Sequence, residues 1–253
     1  PRDMETWHWA MQLNQANAVA CALEHFRSHA PHTAGAIVWQ LNDCWPVTSW
    51  AAIDGDGREK PLYFALQNAF APRVVTIQPR DDGLVAVLGN DTAHGWEGEL
   101  VVARRDVAGE RLAAETIPVT VARRSTVTVR IPDAVAMAAD VASELLEARL
   151  GEVRGLGFFA EPRASALPAA RFTVTTASAG DASLEVTVTA QTLLRDATLL
   201  VDKVHPDATV DSGLVTLLPG ESHTFRVRGA GAADAAVFAD PRVLRTGNQL
   251  VAS

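Results

Sequence analysis

The chain has 253 residues, 48% of them hydrophobic and 21% charged, with a formal net charge of −8. That composition describes a folded globular chain and excludes a disordered one, and the acidic balance argues against nucleic acid, which calls for a basic stripe. No apolar run approaches the ~20 residues of a membrane-crossing helix. The only two cysteines, Cys21 and Cys44, are too few for a disulfide framework and read as buried free thiols.

In chain order, residues 7–29 read as a helix, because Leu13, Ala16, Ala20, Leu23 and Phe26 recur at three- and four-residue steps. Pro31 ends it. Residues 35–41, an apolar run after Gly35, read as a strand buried on both faces. Residues 53–60, IDGDGREK, are a turn-rich loop. Pro61 sits where a first helical turn tolerates it, and LYFALQNAF continues with helix formers. The order helix, strand, loop, helix amounts to about a quarter of an eight-fold α/β barrel, too little for a catalytic domain.

After Pro72 the period changes to two. Val74 and Ile77, Leu84 to Leu88, Leu100 and Val102, residues 126–131, 143–150 and 156–159 read as strands separated by Gly- and Asn-containing turns, with a helical turn within 134–141. This pattern predicts an immunoglobulin-like antiparallel sandwich. Residues 161–169, EPRASALPA, read as a linker. A second sandwich follows, with strands expected at 171–176, 183–190, 197–204, 214–218, 223–228 and 235–238. The expected fold class is therefore mixed: a C-terminal remnant of a (β/α)8 barrel over 1–71, then immunoglobulin-like β-sandwiches over 72–163 and 164–253.

The densest chemistry lies in GAIVWQLNDCWPVTSWAAID, residues 35–54, which holds Trp39, Trp45 and Trp50 beside Asn42 and Asp43. Aromatic faces next to a few fixed polar groups at the C-terminal end of a barrel strand are what a sugar pocket needs. The run WQLNDCWPVTSW, with the preceding helix QANAVACALEHFRSHAP, resembles the last part of the catalytic barrel of glycoside hydrolase family 2 and is most similar to its β-mannosidases. The segment DSGLVTLLPGES, residues 211–222, resembles part of the C-terminal sandwich of those enzymes.

The resemblance implies the C-terminal segment of a retaining exo-β-mannosidase that removes terminal β-D-mannose from oligosaccharides or glycoconjugates. Its partners would be that substrate and the upstream domains of the same enzyme, with no nucleic acid, no membrane and no cofactor. Retaining enzymes use two carboxylates. In the family both Glu lie upstream of the WQLND strand and neither motif occurs here, so no catalytic residue is expected in this piece, which should be inactive alone. Trp39 is expected to wall the subsite of the terminal sugar; packing in a barrel core is the competing reading. Asn42 and Asp43 are expected to bind sugar hydroxyls or brace the catalytic Glu residues, against simple loop capping. Trp45 and Trp50 are expected either to line the pocket rim or to pack beneath the loop, with packing the favoured reading for Trp50. Trp7, Trp9 and Trp96 read as structural.

Other signals are weaker. His25 and His29 share a helix face but lack the companions of a metal site. The DGDG run, residues 54–57, echoes a calcium loop but has Ala65 where the twelfth-position Glu belongs, so it reads as a plain turn. No metal is expected. The opening residues PRDMETWHW look like a cut through a longer protein, so they do not give the localisation; Ala-rich, Arg-over-Lys usage points to a GC-rich bacterial genome, and the bacterial cytoplasm is the expected location. Two further function classes remain: another family 2 glycosidase (β-galactosidase, β-glucuronidase or exo-glucosaminidase type), or a non-catalytic carbohydrate-binding sandwich protein. Few exposed aromatics in the strands speak against the latter.

Overall fold

A computed structural model describes residues 3–180 and 183–251. The first element is helix α1 (Met4–Arg27). Asp3 opens it by accepting the Thr6 N–H at 2.7 Å, and that bond holds the Asp3 carboxyl below its ordinary value. Leu13, Ala16 and Leu23 of the expected stripe are buried, as is Trp9, whereas Phe26 is exposed. Helix α2 (Pro61–Ala69) begins on its proline, as the sequence predicts. Among the described residues no strand forms over 35–41 and no barrel closes; what regular structure follows is mainly antiparallel β.

The chain divides into two compact units. One comprises residues 20–37 and 67–166. Its strands are β1 (Arg73–Arg80), β2 (Gly83–Asn90), β3 (Trp96–Asp106), β4 (Arg111–Val121), β5 (Ser125–Arg130), β6 (Glu144–Leu150) and β7 (Val153–Phe158), with the short helix α3 (Asp133–Ala136) between β5 and β6. They form two antiparallel sheets, β1-β2-β5 and β4-β3-β6-β7. The core between them holds Val75, Leu88, Trp96, Leu100, Val102, Leu146 and Ala148. Strand β4 was not legible in the sequence. It carries Pro118 and mostly exposed residues, which an edge strand tolerates and a central one does not. β6 is buried along almost its whole length although it carries two glutamates. Arg104 caps Glu144, and Arg105 reaches Glu147 at 2.7 Å, so the buried carboxylates are paired.

The other unit comprises residues 1–19, 38–66 and 167–253. Its strands are β8 (Phe172–Ser178), β9 (Ser183–Ala190), β10 (Leu194–Leu199), β11 (Thr209–Val210), β12 (Val215–Leu217), β13 (Ser222–Arg228) and β14 (Leu244–Arg245). The sheets are β11-β13-β9-β8 and β12-β10-β14. Val186, Val188 and Ala190 of β9 and Phe225 and Val227 of β13 point into one core, the period-two pattern read from the sequence. Phe64 of α2 joins that core, and a Cβ on Gly213 would stand 2.6 Å from its ring, so this close approach requires glycine. Trp9 reaches the same unit by donating its indole N–H to the Thr246 carbonyl at 3.0 Å.

Two strand expectations here need correction. Residues 235–238 form helix α4 (Ala235–Ala239) instead of a strand, because Asp234 caps it by accepting the N–H groups of Ala236 and Val237 at 3.0 and 3.1 Å. A four-residue apolar run cannot distinguish the two, and the cap decides. The strand expected over 197–204 runs instead from Leu194 to Leu199, and a 3-10 turn (Val201–Lys203) takes the remainder. A Pro-Gly turn follows β12, with Gly220 at φ 87°, and Glu221 turns back to accept the Leu218 N–H at 2.9 Å.

Candidate functional site

Residues 38–60 of the second unit follow an irregular course that hydrogen bonds hold. Ala52 N–H donates to Gln40 O at 3.1 Å, Ile53 N–H to Leu41 O at 2.8 Å, and Asp43 N–H to Ile53 O at 3.0 Å. Asn42 and Ile53 form an isolated parallel bridge, and Ile53 bridges onward to Glu59. In place of the buried strand expected over 35–41 there is a single rung just beyond it, at Asn42. A strand buried on both faces needs a ladder on each side, and the described residues supply one short partner. Ile37 is accordingly 98% exposed. The Trp39–Gln40 peptide is cis.

The rung places Trp39 and Trp50 at its same end. Trp39 is 73%, Trp45 63% and Trp50 58% exposed. Trp50 therefore does not pack beneath the loop as expected. The loop core is instead made of small residues, Ala51 and Ala52, both fully buried. Asn42 is exposed and turns its side-chain amide to the Asp43 carbonyl at 3.2 Å. Asp43 is half-buried and committed inward: its carboxylate accepts the Ser49 hydroxyl at 2.5 Å and the Gln40 amide at 3.3 Å.

Residues that sequence reading passed over complete this arrangement. Ser49 Oγ also accepts the Ala51 N–H at 3.1 Å. Lys60 Nζ donates to the Ser49 carbonyl at 3.1 Å. Burial pushes the Lys60 amine down from its ordinary value, and Asp43 and Asp54 pull it partly back. Gln15 of α1 donates to the Trp50 carbonyl at 2.8 Å. Ser49 and Lys60 carry no local signature, since their partners lie 6 and 11 residues away along an irregular chain.

The remaining candidates resolve simply. Asp54 accepts the N–H groups of Asp56 and Arg58, each at 2.9 Å, and Gly57 sits at φ 83°, so the DGDG run is a turn whose side chain caps its own backbone. The His25 and His29 rings lie 4.5 Å apart, and His29 Nδ1 meets the His25 carbonyl at 2.9 Å. Among the described residues no group of three or more His, Cys, Asp or Glu side chains is placed to hold a metal. Cys21 and Cys44 are free but exposed, against the expectation of burial; both fall outside the packed cores. No described helix is long and apolar enough to cross a membrane.

The chain is similar to glycoside hydrolases, and among them it resembles the C-terminal portion of a β-mannosidase. It is 37% identical over 79 residues to β-mannosidase B of Aspergillus niger, a match covering 30% of this chain and 9% of that protein. The corresponding Aspergillus flavus enzyme is 35% identical over the same length and shares. In fold, the chain matches the crystal structure of the Dictyoglomus thermophilum β-D-mannosidase with a TM-score of 0.81 at 24% identity, over 97% of this chain and 30% of that one. An exo-chitosanase from Amycolatopsis orientalis matches with a TM-score of 0.61 at 18% identity, over 87% of this chain and 31% of that one. The matches therefore span a small part of the curated relatives and under a third of the solved ones. No family model matches.

Proposed function

We propose that this chain is the C-terminal segment of a retaining exo-β-mannosidase of glycoside hydrolase family 2, which cleaves terminal non-reducing β-D-mannose from oligosaccharides or glycoconjugates. In this reading residues 1–71 are the end of the (β/α)8 barrel, and residues 72–163 and 164–253 are immunoglobulin-like and second accessory sandwiches that brace it. The observation that carries the reading is the pair of solvent-facing indoles, Trp39 and Trp45, on a hydrogen-bonded loop of a chain similar to β-mannosidases.

Chemically, retention needs an acid/base carboxyl and a nucleophilic carboxylate about 5 Å apart. Asp43 follows the indole-bearing Trp39 by four residues, and its oxygens are engaged by Ser49 and Gln40. Both reacting carboxylates then come from upstream chain. One protonates the glycosidic oxygen as the other attacks the anomeric carbon, and the first then activates water to release the sugar. This segment contributes binding: Trp39 and Trp45 present faces to the apolar side of the pyranose, exposed Asn42 sets a hydroxyl contact at its edge, and Asp43 braces the loop that carries them.

The exo-chitosanase likeness in fold supports a second reading, an exo-glucosaminidase-type member of the same family. Hydrolysis of p-nitrophenyl β-mannoside, β-glucosaminide, β-galactoside and β-glucuronide separates the two. The longer enzyme should act on the mannoside and the 253-residue chain on none. Turnover by the short chain would place a catalytic pair within it and overturn the assignment. Preference of the longer enzyme for β-glucosaminide would promote the second reading.

A further inference from the structure

Three exposed indoles on an irregular loop would not hold a fixed geometry by themselves. An exposed side chain gains little from packing, and ordering it costs conformational entropy. The loop nevertheless has internal constraints that bear on each indole. The Trp39 end is held through Gln40, whose amide donates to Asn42 O at 3.1 Å and to Asp43 at 3.3 Å. The Trp50 end is held through Ser49, which donates to Asp43 at 2.5 Å while its backbone carbonyl accepts Lys60 Nζ at 3.1 Å. Asp43 is thus the common acceptor that ties residues 39–43 to residues 49–51.

Trp45 is held by contact. A Cβ on Gly55 would lie 2.3 Å from the Trp45 carbonyl carbon, 2.4 Å from its oxygen and 2.7 Å from Pro46 N. These are backbone atoms that cannot rotate aside, so the Trp45–Pro46 peptide rests directly against Gly55. The turn that presents Gly55 is itself closed by the Asp54 cap and by Asp54 N–H donating to Arg58 O at 3.0 Å.

We propose that Ser49, Gly55 and Lys60 are positioning residues, which act through Asp43 and the Trp45–Pro46 peptide to set the spacing of the Trp39, Trp45 and Trp50 faces that receive the sugar. The sugar-binding part of this inference rests on the function proposed above; the positioning part rests on the loop geometry. Asp43 in this arrangement works mainly as an anchor for the loop. The half-buried Lys60 completes that anchor by donating its amine to the Ser49 carbonyl at 3.1 Å.

The test uses the 253-residue chain labelled with 5-fluorotryptophan, whose six indoles give separate fluorine resonances assignable by single Trp→Phe changes. Ser49→Ala and Lys60→Met should each move or broaden the Trp39, Trp45 and Trp50 resonances and leave those of Trp9 and Trp96 in place. Lys60→Arg should restore the native pattern by returning a donor to the Ser49 carbonyl, and Gly55→Ala should displace Trp45 most. If Ser49→Ala and Lys60→Met both leave the three loop resonances unchanged, or if Lys60→Arg is as disturbed as Lys60→Met, the positioning role is wrong. Titration with methyl β-D-mannoside then addresses the sugar. The same three resonances should shift in the unaltered chain, and Ser49→Ala should weaken the apparent affinity about fivefold, as expected for one lost hydrogen bond. A native spectrum blind to the sugar would remove the sugar-binding reading while the variant spectra still decide the positioning one.

Discussion

The core around Phe225 and the loop around Trp39 belong to the same compact unit yet are built on opposite principles. Phe225 is fully buried on a seven-residue strand with a complete antiparallel register to β9. Trp39 is largely exposed on a stretch that joins its neighbour through a single rung, Asn42 to Ile53. In the core, apolar area removed from water stabilises the fold, at about 25 cal/mol per Å². In the loop, hydrogen bonds and one backbone contact set geometry while the apolar faces stay in solvent. The lesson is that the two halves of this unit should answer differently to mutation: the core in stability, the loop in shape and binding.

The largest test of that contrast is Phe225→Ala, which should cost about 3–5 kcal/mol in chemical denaturation because the cavity left among Val186, Val188 and Val227 cannot fully close. A cost under about 1 kcal/mol would mean that the β9–β13 core is loosely packed and that the contrast fails. Next comes Gly155→Ala in the other unit. The new Cβ would stand 2.2 Å from the Val75 carbonyl oxygen, and the overpacking should cost about 1–3 kcal/mol, read as a drop in the denaturation midpoint.

A smaller effect is expected at Glu24, which is half-buried on α1 and whose pKa is raised by burial alone. A carboxyl raised above its unfolded value binds protons more tightly in the folded state. Its drag on stability is therefore absent in acid, sets in as pH rises above about 4.5, and is complete once pH passes the folded pKa. Glu24→Gln should raise the melting temperature at pH 7 and leave it nearly unchanged near pH 3. An equal gain at both pH values would trace the effect to packing rather than charge. The smallest expected stability change is that of Trp39→Ala, within about 0.5 kcal/mol as for other exposed sites. In the longer enzyme the same change should raise KM for the β-mannoside. A large loss of stability with no change in KM would make Trp39 a core residue after all.

Legibility in the sequence followed the kind of interaction that shapes each part. Alternating Val and Phe residues announced β9 and β13, and the three- and seven-residue steps of Leu13, Ala16 and Leu23 announced α1, because burial repeats with the period of the element. β4 escaped notice because an edge strand buries little and tolerates Pro118. α4 was misread because a four-residue apolar run has no period and Asp234 alone decides it. At the candidate site the indoles, Asn42 and Asp43 were visible from residue type, whereas Ser49, Gly55 and Lys60 were not, since nothing in their spacing marks them.

By itself, then, the sequence determined the helix stripe, most of the paired strands, the turn at Gly57 and the likeness to β-mannosidases. Each of these depends on residue type and on neighbours a few positions away. Tertiary structure alone decided that residues 35–41 form no strand and that a single rung at Asn42 stands in its place, that Trp50 faces solvent, and that Asp43 turns inward to Ser49. The physical reason is that a strand exists only by virtue of its partners, and a hydrogen bond between residues 43 and 49 or 49 and 60 requires a chain path that no local pattern encodes.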